Sequence, residues 1–375
     1  MINRAPLTRS IIPAPLQALP WRVLLPLFAL VLFGATVLYS AGGGKVWPWA
    51  GMHVIDFGLF LALAIAVSHV RRDTLRHLAY PIYATLIVLL ILVEAVGRIG
   101  GGSQRWLNLG VMTLQPSELM KPAIVLALAN FYDTLPAGLT RSWRALIPAA
   151  LLMGLPAALV IIQPDLGTAM AICLGAVSVV FLSGVPIWWF LAGGAAAATI
   201  APIAYFFVLH DYQRKRVTVF LNPEADMLGA GYHIMQSKIA IGSGGLLGKG
   251  LGNGTQSHLE YLPEKETDFV FATMAEEWGM IGGLFILTVF FVVLFRWGMQ
   301  VARNAPDRFS AMLAAGMTMT IFFYVAINMS MVMGLAPVVG IPLPFISHGG
   351  SSMMTNMLCI GTIMAVDRWS RRARA

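Results

Sequence analysis

A carboxylate at the start of a long apolar segment is the residue of this sequence best placed for chemistry. Asp268 follows a polar, turn-rich stretch and directly precedes the apolar run that begins at Phe269. We predict that Thr267 caps the resulting helix through its hydroxyl, and that Asp268 is stabilised in the first turn by the helix dipole. Glu276 and Glu277 lie about two turns deeper, where acidic groups are costly and indicate function. The sequence therefore predicts an anionic site at a boundary between water and apolar surroundings.

A second group of polar residues surrounds the start of another apolar segment. Arg105 precedes it, and Gln115 stands directly before Pro116, which suits the first turn of a helix because its missing amide costs nothing there. Glu118 and Lys121 are three residues apart, so they share a helix face and can pair. Two interpretations stay open: a neutralised structural ion pair, or a polar pocket in which Lys121 and Arg105 bind phosphate oxygens.

Further candidates for binding an anion lie in later polar stretches. Arg214 and Arg216 belong to a basic cluster. Three interpretations stay open for it: it is solvated, it contacts lipid headgroups, or it contacts a diphosphate. Gln236 and Lys238 fall where we predict a short amphipathic helix on the membrane, and Ser347 stands in a glycine-rich turn. No two histidines have a metal-ligand spacing, so the sequence predicts no zinc site.

Two other motifs have structural explanations. Asp165, at a predicted helix start, is explained by capping. The glycine-dense stretch 242–254 contains Gly248 and Lys249 but lacks the Ser or Thr and the glycine spacing of a P-loop. We predict instead a flexible or re-entrant segment with close backbone approach.

Composition predicts the elements that hold these residues. Hydrophobic residues form 58% of the 375 and charged residues 11%, with a mean hydropathy of +0.76, whereas a soluble domain carries about a quarter charged residues. Apolar runs of about twenty residues indicate membrane-spanning helices, because only helices and closed barrels satisfy their backbone groups in lipid. We therefore predict an all-α polytopic membrane protein. Cys173 and Cys359 lie within apolar runs, which predicts neither a disulfide framework nor a thiolate metal site.

The chain is predicted to form one domain, residues 1–375, with about ten spans. These spans are residues 23–40, 53–69, 78–96, 116–132, 145–162, 166–183, 187–208, 269–295, 310–334 and 351–366. The ends, 1–22 and 367–375, are predicted to be cytoplasmic tails. Residues 209–267 are predicted to form a large outer loop between the seventh and eighth spans.

Basic residues predict the orientation of the spans. With the N-terminus inside, the inner segments carry fifteen Lys and Arg residues and the short outer segments three, which is the expected asymmetry. The large loop holds six more, but long loops translocate largely regardless of charge. Both termini are therefore predicted to be cytoplasmic, and the polar motifs fall on the outer face. The same asymmetry explains the net charge of +8 without a nucleic acid partner.

The motifs together resemble those of a known family. They are Arg105-Trp-Leu-Asn-Leu-Gly, Gln115-Pro-Ser-Glu-Leu, Gly229-Ala-Gly-Tyr, Gln236-Ser-Lys-Ile-Ala-Ile-Gly, Leu262-Pro-Glu-Lys-Glu-Thr-Asp-Phe and Ser347-His-Gly-Gly-Ser-Ser. In this order over nearly the whole chain, they resemble the SEDS proteins (shape, elongation, division and sporulation), and Gly254-Thr-Gln-Ser resembles the elongation branch. The resemblance implies a peptidoglycan glycosyltransferase of the bacterial inner membrane that polymerises lipid II on the periplasmic side. It also implies a class B penicillin-binding protein and other membrane proteins of the elongation complex as partners.

The resemblance assigns roles to single residues. The Asp that the family needs for polymerisation falls on Asp268, and its fourth-helix pair falls on Glu118 and Lys121. Two positions depart from the family: Glu266 replaces a usual His, and His348 replaces a usual Tyr. The first departure adds negative charge beside Asp268.

Two roles for Asp268 stay open at this point. As a general base it would take the proton of the acceptor sugar hydroxyl, and as a ligand it would hold a divalent cation such as Mg²⁺; we expect no other cofactor. Cations would stabilise the lipid diphosphates, and polar groups would line the substrate site. The predicted substrate-binding residues are Arg105, Gln115, Glu118, Lys121, Arg214, Arg216, Gln236, Lys238 and Ser347.

Two other classes of function are considered. A lipid II flippase would explain the Pro- and Gly-interrupted spans and the ion pair within a span, but a transporter should not crowd its polar motifs on one face. A scaffold for partner enzymes would make Asp268 dispensable.

Overall fold

The computed structural model describes residues 19–100, 103–108, 113–136, 138–207, 211–222, 229–262 and 264–374. The fold within these ranges is a helical bundle with one small sheet. The helices are α1 (Trp21–Ala41), α2 (Trp49–Ser68), α3 (Arg72–Val96), α4 (Pro116–Thr134), α5 (Trp143–Ile162), α6 (Leu166–Leu182), α7 (Ile187–Phe207), α8 (Asp211–Leu221), α9 (Ala230–Gly244), α10 (Thr255–His258), α11 (Val270–Arg303), α12 (Arg308–Val332) and α13 (Gly350–Arg374).

Each of the ten predicted spans coincides with a helix. Six helices of the described chain, α1, α2, α3, α5, α11 and α12, are long and apolar enough to cross a membrane. Helices α6 and α7 contain shorter apolar stretches. The chain is therefore a mostly helical, multi-pass membrane protein, whereas the count of ten spans and the position of the large loop stay predictions.

The link between α3 and α4 corrects the all-α prediction. Three short strands, β1 (Arg98–Gly100), β2 (Ser103–Asn108) and β3 (Thr113–Leu114), form an antiparallel sheet in the order β1-β2-β3. Backbone groups that no helix satisfies need other partners, and in this link they pair with one another. The sheet carries Arg105 on its central strand.

The predicted large loop, 209–267, contains helices of its own. Helices α8, α9 and α10 lie within it, and α9 confirms that a helix forms around Gln236 and Lys238, whereas its placement on the membrane stays a prediction. Helix α9 packs along α11, with Ile234, Ser237 and Ala240 buried. The loop is thus a packed part of the fold.

The core lies around α12, which contacts α4, α6 and α13. Tyr132, Tyr324 and Phe309 are among its fully buried side chains. A methyl group built on Gly316 of α12 would lie 2.6 Å from a side-chain atom of Val125 on α4, so α12 and α4 cross closely at Gly316. Small residues at such crossings are typical of membrane helices, which associate through packing and hydrogen bonds rather than through exclusion of water.

Helix α11 is broken at Gly279, where φ is +60° and ψ is −155°. The loop after α9 replaces the helical hydrogen bonds lost at the break. The amides of Lys249 and Gly250 donate to the carbonyls of Glu276 and Glu277, at 3.0 and 2.9 Å. In return, the amides of residues 280 and 281 donate to the carbonyls of residues 245 and 246, at 3.0 and 3.3 Å. This exchange confirms the close backbone approach predicted for the glycine-dense stretch.

We expect Gly279→Ala to destabilise the protein. The added Cβ would lie 2.4 Å from the backbone nitrogen of Gly248, and a non-glycine residue in a sparsely populated backbone region costs about 1–3 kcal/mol. The midpoint of thermal unfolding in detergent measures the loss.

Gly283→Ala is the matched control, four residues further along the same helix. Its added methyl would lie 3.9 Å from Phe271, an ordinary contact, and alanine favours a helix by about 0.5–1 kcal/mol over glycine. Equal midpoints for the two variants would contradict the importance of the break.

Candidate active site

Asp268 lies in a turn that precedes α11. The helix begins at Val270, and no side chain caps it, so the prediction that Thr267 caps this helix is wrong. The Thr267 hydroxyl instead donates to the Glu264 carboxylate at 2.9 Å. The amides of Thr267 and Phe269 donate to the Glu264 carbonyl at 3.1 and 3.2 Å. These bonds fold residues 264–269 into a compact turn that presents Asp268 before the helix axis starts.

Two other segments hold the backbone of this turn. The Asn328 amide on α12 donates to the Asp268 carbonyl at 2.9 Å and to the Ile341 carbonyl at 2.6 Å. The Ser347 hydroxyl donates to the Thr267 carbonyl at 2.6 Å. Asn328 and Ser347 both contact the backbone of the turn, so they position Asp268 without bonding to its carboxylate.

Ser347 was predicted to bind substrate, and its surroundings favour a positioning role. Its side chain is 5% exposed, and besides donating to Thr267 its hydroxyl accepts a bond from the Leu343 amide at 2.8 Å. The serine therefore ties the loop between α12 and α13 to the turn of Asp268.

The two departures from the family meet beside this turn. The His348 amide donates to the Glu266 carbonyl at 2.9 Å, and the His348 ring packs edge-on against Trp49, with centroids 4.9 Å apart. Burial raises the pKa of the Glu266 carboxyl and lowers the pKa of the His348 imidazole. Both environments therefore disfavour the charged form of the side chain.

Arg105 and Gln115 belong to one hydrogen-bonded network around Asp165. The Arg105 guanidinium donates to the carbonyls of Gln163, at 2.9 Å, and Pro164, and its Nη1 lies 3.6 Å from the Asp165 carboxylate. The Gln115 side chain donates to the same carboxylate at 3.1 Å. Asp165 also accepts from the first turn of α6, which confirms its predicted capping role. The network links β2, α4 and α6.

Glu118 and Lys121 form the predicted ion pair, with 2.6 Å between Nζ and Oε1. Tyr324 on α12 completes the group: the Lys121 ammonium donates to its hydroxyl, which in turn donates to Glu118. The Lys121 side chain is 1% exposed. This enclosure favours the structural interpretation, because the ammonium already has one partner of opposite charge, Glu118, and a hydrogen-bond acceptor in Tyr324. A direct contact of Lys121 with phosphate stays a prediction that would require the pair to open.

The remaining predicted binding residues lie on α8 and α9. Lys238 is exposed, and the end of its side chain lies over Gly334, since a methyl built there would lie 2.8 Å from Nζ. Gln236 is half-buried on the same helix. Arg214 donates to the Phe206 carbonyl at 2.9 Å. The side chain of Arg216, on α8, lies outside the described residues.

Glu276 clamps the loop that fills the break in α11. Its carboxylate, fully buried, accepts from the Lys249 ammonium at 2.6 Å, the Thr255 hydroxyl at 3.0 Å and the Gln256 amide at 3.1 Å. The costly acidic group therefore has a complete set of partners. Its position about two turns beyond Asp268 holds the loop close to the candidate site.

Glu277 makes a second set of contacts with the same loop. It accepts from the Ser40 hydroxyl on α1 and from the Gly252 amide at 3.2 Å. His258 lies 3.6 Å from its carboxylate. The two acidic residues that the sequence marked as functional thus position structure in the described chain.

Sequence reasoning missed three residues that shape the site. Tyr324 and Asn328 are polar residues within an apolar span, four apart and so on one helix face, a signal that could have marked them. Lys249 was considered only as part of a P-loop. No spacing in the sequence connects it to Glu276, 27 residues later.

We expect Glu266→Gln to raise the thermal midpoint modestly at neutral pH. Burial raises the pKa of Glu266, so the folded state disfavours the charged carboxylate. The resulting loss in the free energy of unfolding develops as pH rises from the ordinary carboxyl pKa of about 4.3 to the higher pKa of the folded state. The gain should be present at about pH 7.5 and vanish near pH 4. Glu260→Gln removes an exposed carboxylate from the same loop and controls for the change in net charge. A shift of the Glu266→Gln midpoint that does not depend on pH would contradict destabilisation by the buried Glu266 carboxylate.

We expect Lys121→Met to destabilise the protein by about 3–5 kcal/mol, because it leaves the buried Glu118 carboxylate without its partner. The double variant Glu118→Gln with Lys121→Met removes both charges and should recover most of the loss. Thermal unfolding in detergent measures both. A double variant as unstable as the single one would contradict a mainly structural pair.

The chain is similar to described proteins over most of its length. A family model described as a cell cycle protein, for FtsW, RodA and SpoVE, matches residues 17–372. The peptidoglycan glycosyltransferase MrdB of Escherichia coli (strain K12) is 43% identical over 351 residues, which cover 92% of each chain. Stage V sporulation protein E of Bacillus subtilis (strain 168) is 38% identical over 285 residues, 76% of this chain and 77% of that protein.

Solved structures give the same result. A chain from a peptidoglycan synthase complex that coordinates polymerization and crosslinking matches with a TM-score of 0.81 and 32% identity, covering 93% of this chain and 98% of that one. The Thermus thermophilus rod shape determining protein RodA matches with a TM-score of 0.69 and 29% identity, covering 93% and 96%. As the resemblance of its motifs predicted, the chain belongs to the family of FtsW, RodA and SpoVE cell cycle proteins.

Proposed function

We propose that the chain is a peptidoglycan glycosyltransferase that polymerises lipid II into glycan strands during cell elongation. The observation that carries the proposal is the relative named peptidoglycan glycosyltransferase MrdB, 43% identical over 92% of both chains. The candidate site supports it, since an acidic side chain stands in a turn that two other segments hold in place. Such fixed geometry is what a group-transfer reaction needs from a protein.

In the proposed reaction, Asp268 acts as the general base. It takes the proton from a sugar hydroxyl of the acceptor, the hydroxyl oxygen bonds to the anomeric carbon of the donor, and the bond from that carbon to the diphosphate oxygen breaks. The lipid diphosphate leaves with the electron pair. Holding the Thr267 and Asp268 backbone through Ser347 and Asn328 fixes the distance over which the proton moves, and positioned acid–base help contributes about 10²–10⁴-fold.

Cationic side chains are proposed to stabilise the diphosphate as its charge develops. Lys238 suits this role, because it is exposed and no carboxylate pairs with it within the part of the chain that the structure describes. Arg214 and Arg216 are proposed to assist from α8. Arg105 and Lys121 already have internal acceptors, and we propose that they keep the walls of the site in place.

A divalent cation at Asp268 is the second role for this carboxylate. Among the described residues, no group of three or more His, Cys, Asp and Glu side chains is arranged to hold a metal ion. A cation such as Mg²⁺ would therefore share Asp268 with oxygens of the substrate diphosphate, and would supply charge neutralisation. Polymerisation with and without a chelator tests whether the cation is required.

We further propose that the protein works in the bacterial inner membrane with Asp268 facing the periplasm. The proposed partners are a class B penicillin-binding protein, which would crosslink the new strands, and other membrane proteins of the elongation complex. The similarity to a chain from a peptidoglycan synthase complex supports the first partner.

We expect Asp268→Asn to lower the rate of polymerisation by at least about 10²-fold. Purified protein, alone and with its penicillin-binding protein, is given lipid II in detergent, and glycan products are resolved on a gel. Glu260→Gln, the same chemical change at an exposed carboxylate of the same loop, should keep near wild-type activity.

Detergent separates the proposed enzyme from a flippase, because it leaves no bilayer to cross. Polymer made by the wild type and lost in Asp268→Asn supports the glycosyltransferase. Equal polymer from both proteins would remove Asp268 from the reaction. No polymer from either, with lipid translocation in sealed vesicles, would overturn the proposal in favour of the flippase.

A further inference from the structure

An open groove lies at the end of α11 remote from Asp268. We call it the arginine groove. It has a volume of about 650 Å³ and is lined by Phe295, Arg296, Met299, Gln300, Arg303 and Asn304. Residues at spacings of three, four and seven share a helix face, so Arg296 and Arg303 flank one stripe, with Met299 and Gln300 between them. The groove plays no part in the proposed reaction.

The length of α11 places the Arg296 end of this groove near the lipid headgroups. Arg296 follows Val270 by 26 residues, which is at most about 39 Å at 1.5 Å per residue, because α11 is broken at Gly279. The hydrocarbon core is about 30 Å thick and the bilayer with its headgroup regions about 40–45 Å. If Val270 lies near one boundary, Arg296 reaches the headgroups of the opposite leaflet. Arg303 lies about 10 Å further along the helix, on the water side of the headgroups, so its long side chain has to extend back toward the membrane to contact them.

The charge of the arginine groove is not compensated by the protein. Four acidic residues of the described chain lie at this end of the bundle, and other arginines already bind each of them. Arg72 contacts Asp73 at 3.4 Å and Asp307 at 2.9 Å, Arg76 contacts Asp133 at 2.5 Å, and Arg371 contacts Asp367 at 2.5 Å. No carboxylate of the described residues pairs with Arg296 or Arg303.

The apolar part of the groove continues onto a lipid-facing surface. Phe295 ends the π-helical segment Thr288–Phe295 of α11. On this segment, Phe291 and Val292 are 38% and 55% exposed, as expected for side chains that face acyl chains. An occupant of the groove therefore meets two guanidinium groups beside an apolar surface that leads into the membrane.

We propose that the arginine groove binds the headgroup of an anionic phospholipid. Guanidinium groups bind phosphate oxygens with two parallel hydrogen bonds, and Arg296 and Arg303 are placed to contact the phosphate and glycerol region from two sides. Phe295 and Met299 contact the start of the acyl chains. An acidic segment of a soluble protein would satisfy the arginines but would leave this apolar surface unused, which is why lipid is the favoured occupant.

The test measures lipid binding by the purified full chain in detergent. Phosphatidylglycerol is titrated and the bound fraction is read by native mass spectrometry, with phosphatidylcholine as the neutral reference. One basic residue near a membrane surface is worth about fivefold in binding to anionic lipid, so Arg296→Gln with Arg303→Gln should weaken phosphatidylglycerol binding by about 25-fold. Arg296→Lys with Arg303→Lys keeps the charge but loses the paired hydrogen bonds of guanidinium, so its binding should lie between that of the wild type and that of the glutamine variant.

Arg141→Gln with Arg144→Gln is the matched control, because it removes two exposed arginines that were assigned to the same side of the membrane. It should change phosphatidylglycerol binding less than twofold. Equal losses in both double variants would replace the groove by diffuse surface charge and overturn the proposal. Unchanged phosphatidylglycerol binding in the Arg296→Gln, Arg303→Gln variant would overturn the proposal too. The proposal would also fail if the protein bound a polyglutamate peptide through Arg296 and Arg303 and did not bind phosphatidylglycerol. Thermal unfolding confirms that each variant is folded.

Discussion

The exchange of backbone hydrogen bonds at the break in α11 is the interaction on which the arrangement of the candidate site depends. A helix broken inside a membrane loses bonds that water cannot replace, and each unsatisfied group costs several kcal/mol. Here the loop after α9 supplies two donors and two acceptors in place of two lost helical bonds. Glycine is required both in the loop, at Gly248, and in the helix, at Gly279, because methyl groups built there would lie 2.1 and 2.4 Å from facing backbone atoms.

The same constraint explains why acidic residues are tolerated so deep in an apolar helix. Glu276 and Glu277 lie at the break, where the loop brings Lys249, His258 and backbone amides to their carboxylates. Buried charge is acceptable when it is paired and hydrogen-bonded. Loop, break and carboxylates therefore depend on one another, and together they set the position of the turn that carries Asp268.

Elsewhere in the bundle, one set of buried polar groups forms a closed cluster. Glu118, Lys121 and Tyr324 satisfy one another between α4 and α12, and Asn328 lies one turn from Tyr324 on α12. The helix whose Tyr324 is hydrogen-bonded to the buried ion pair thus also holds the Asp268 backbone. A change in the packing of α12 would reach both groups, which gives the proposed site a rigid support.

Hydrophobic patterning alone located the long helices, because a run of about twenty apolar residues has few alternatives in a membrane. The motif around Asp268 and the Gln115-Pro-Ser-Glu pattern likewise identified the family and the candidate carboxylate without coordinates. What sequence reasoning left out were contacts between residues distant in the chain. The pairing of Lys249 with Glu276, the hold of Ser347 on Thr267, and the enclosure of Lys121 arise when separate segments meet. Only the tertiary structure decides which polar group faces substrate and which satisfies a neighbour, since a side chain of one type serves either role according to what packs against it.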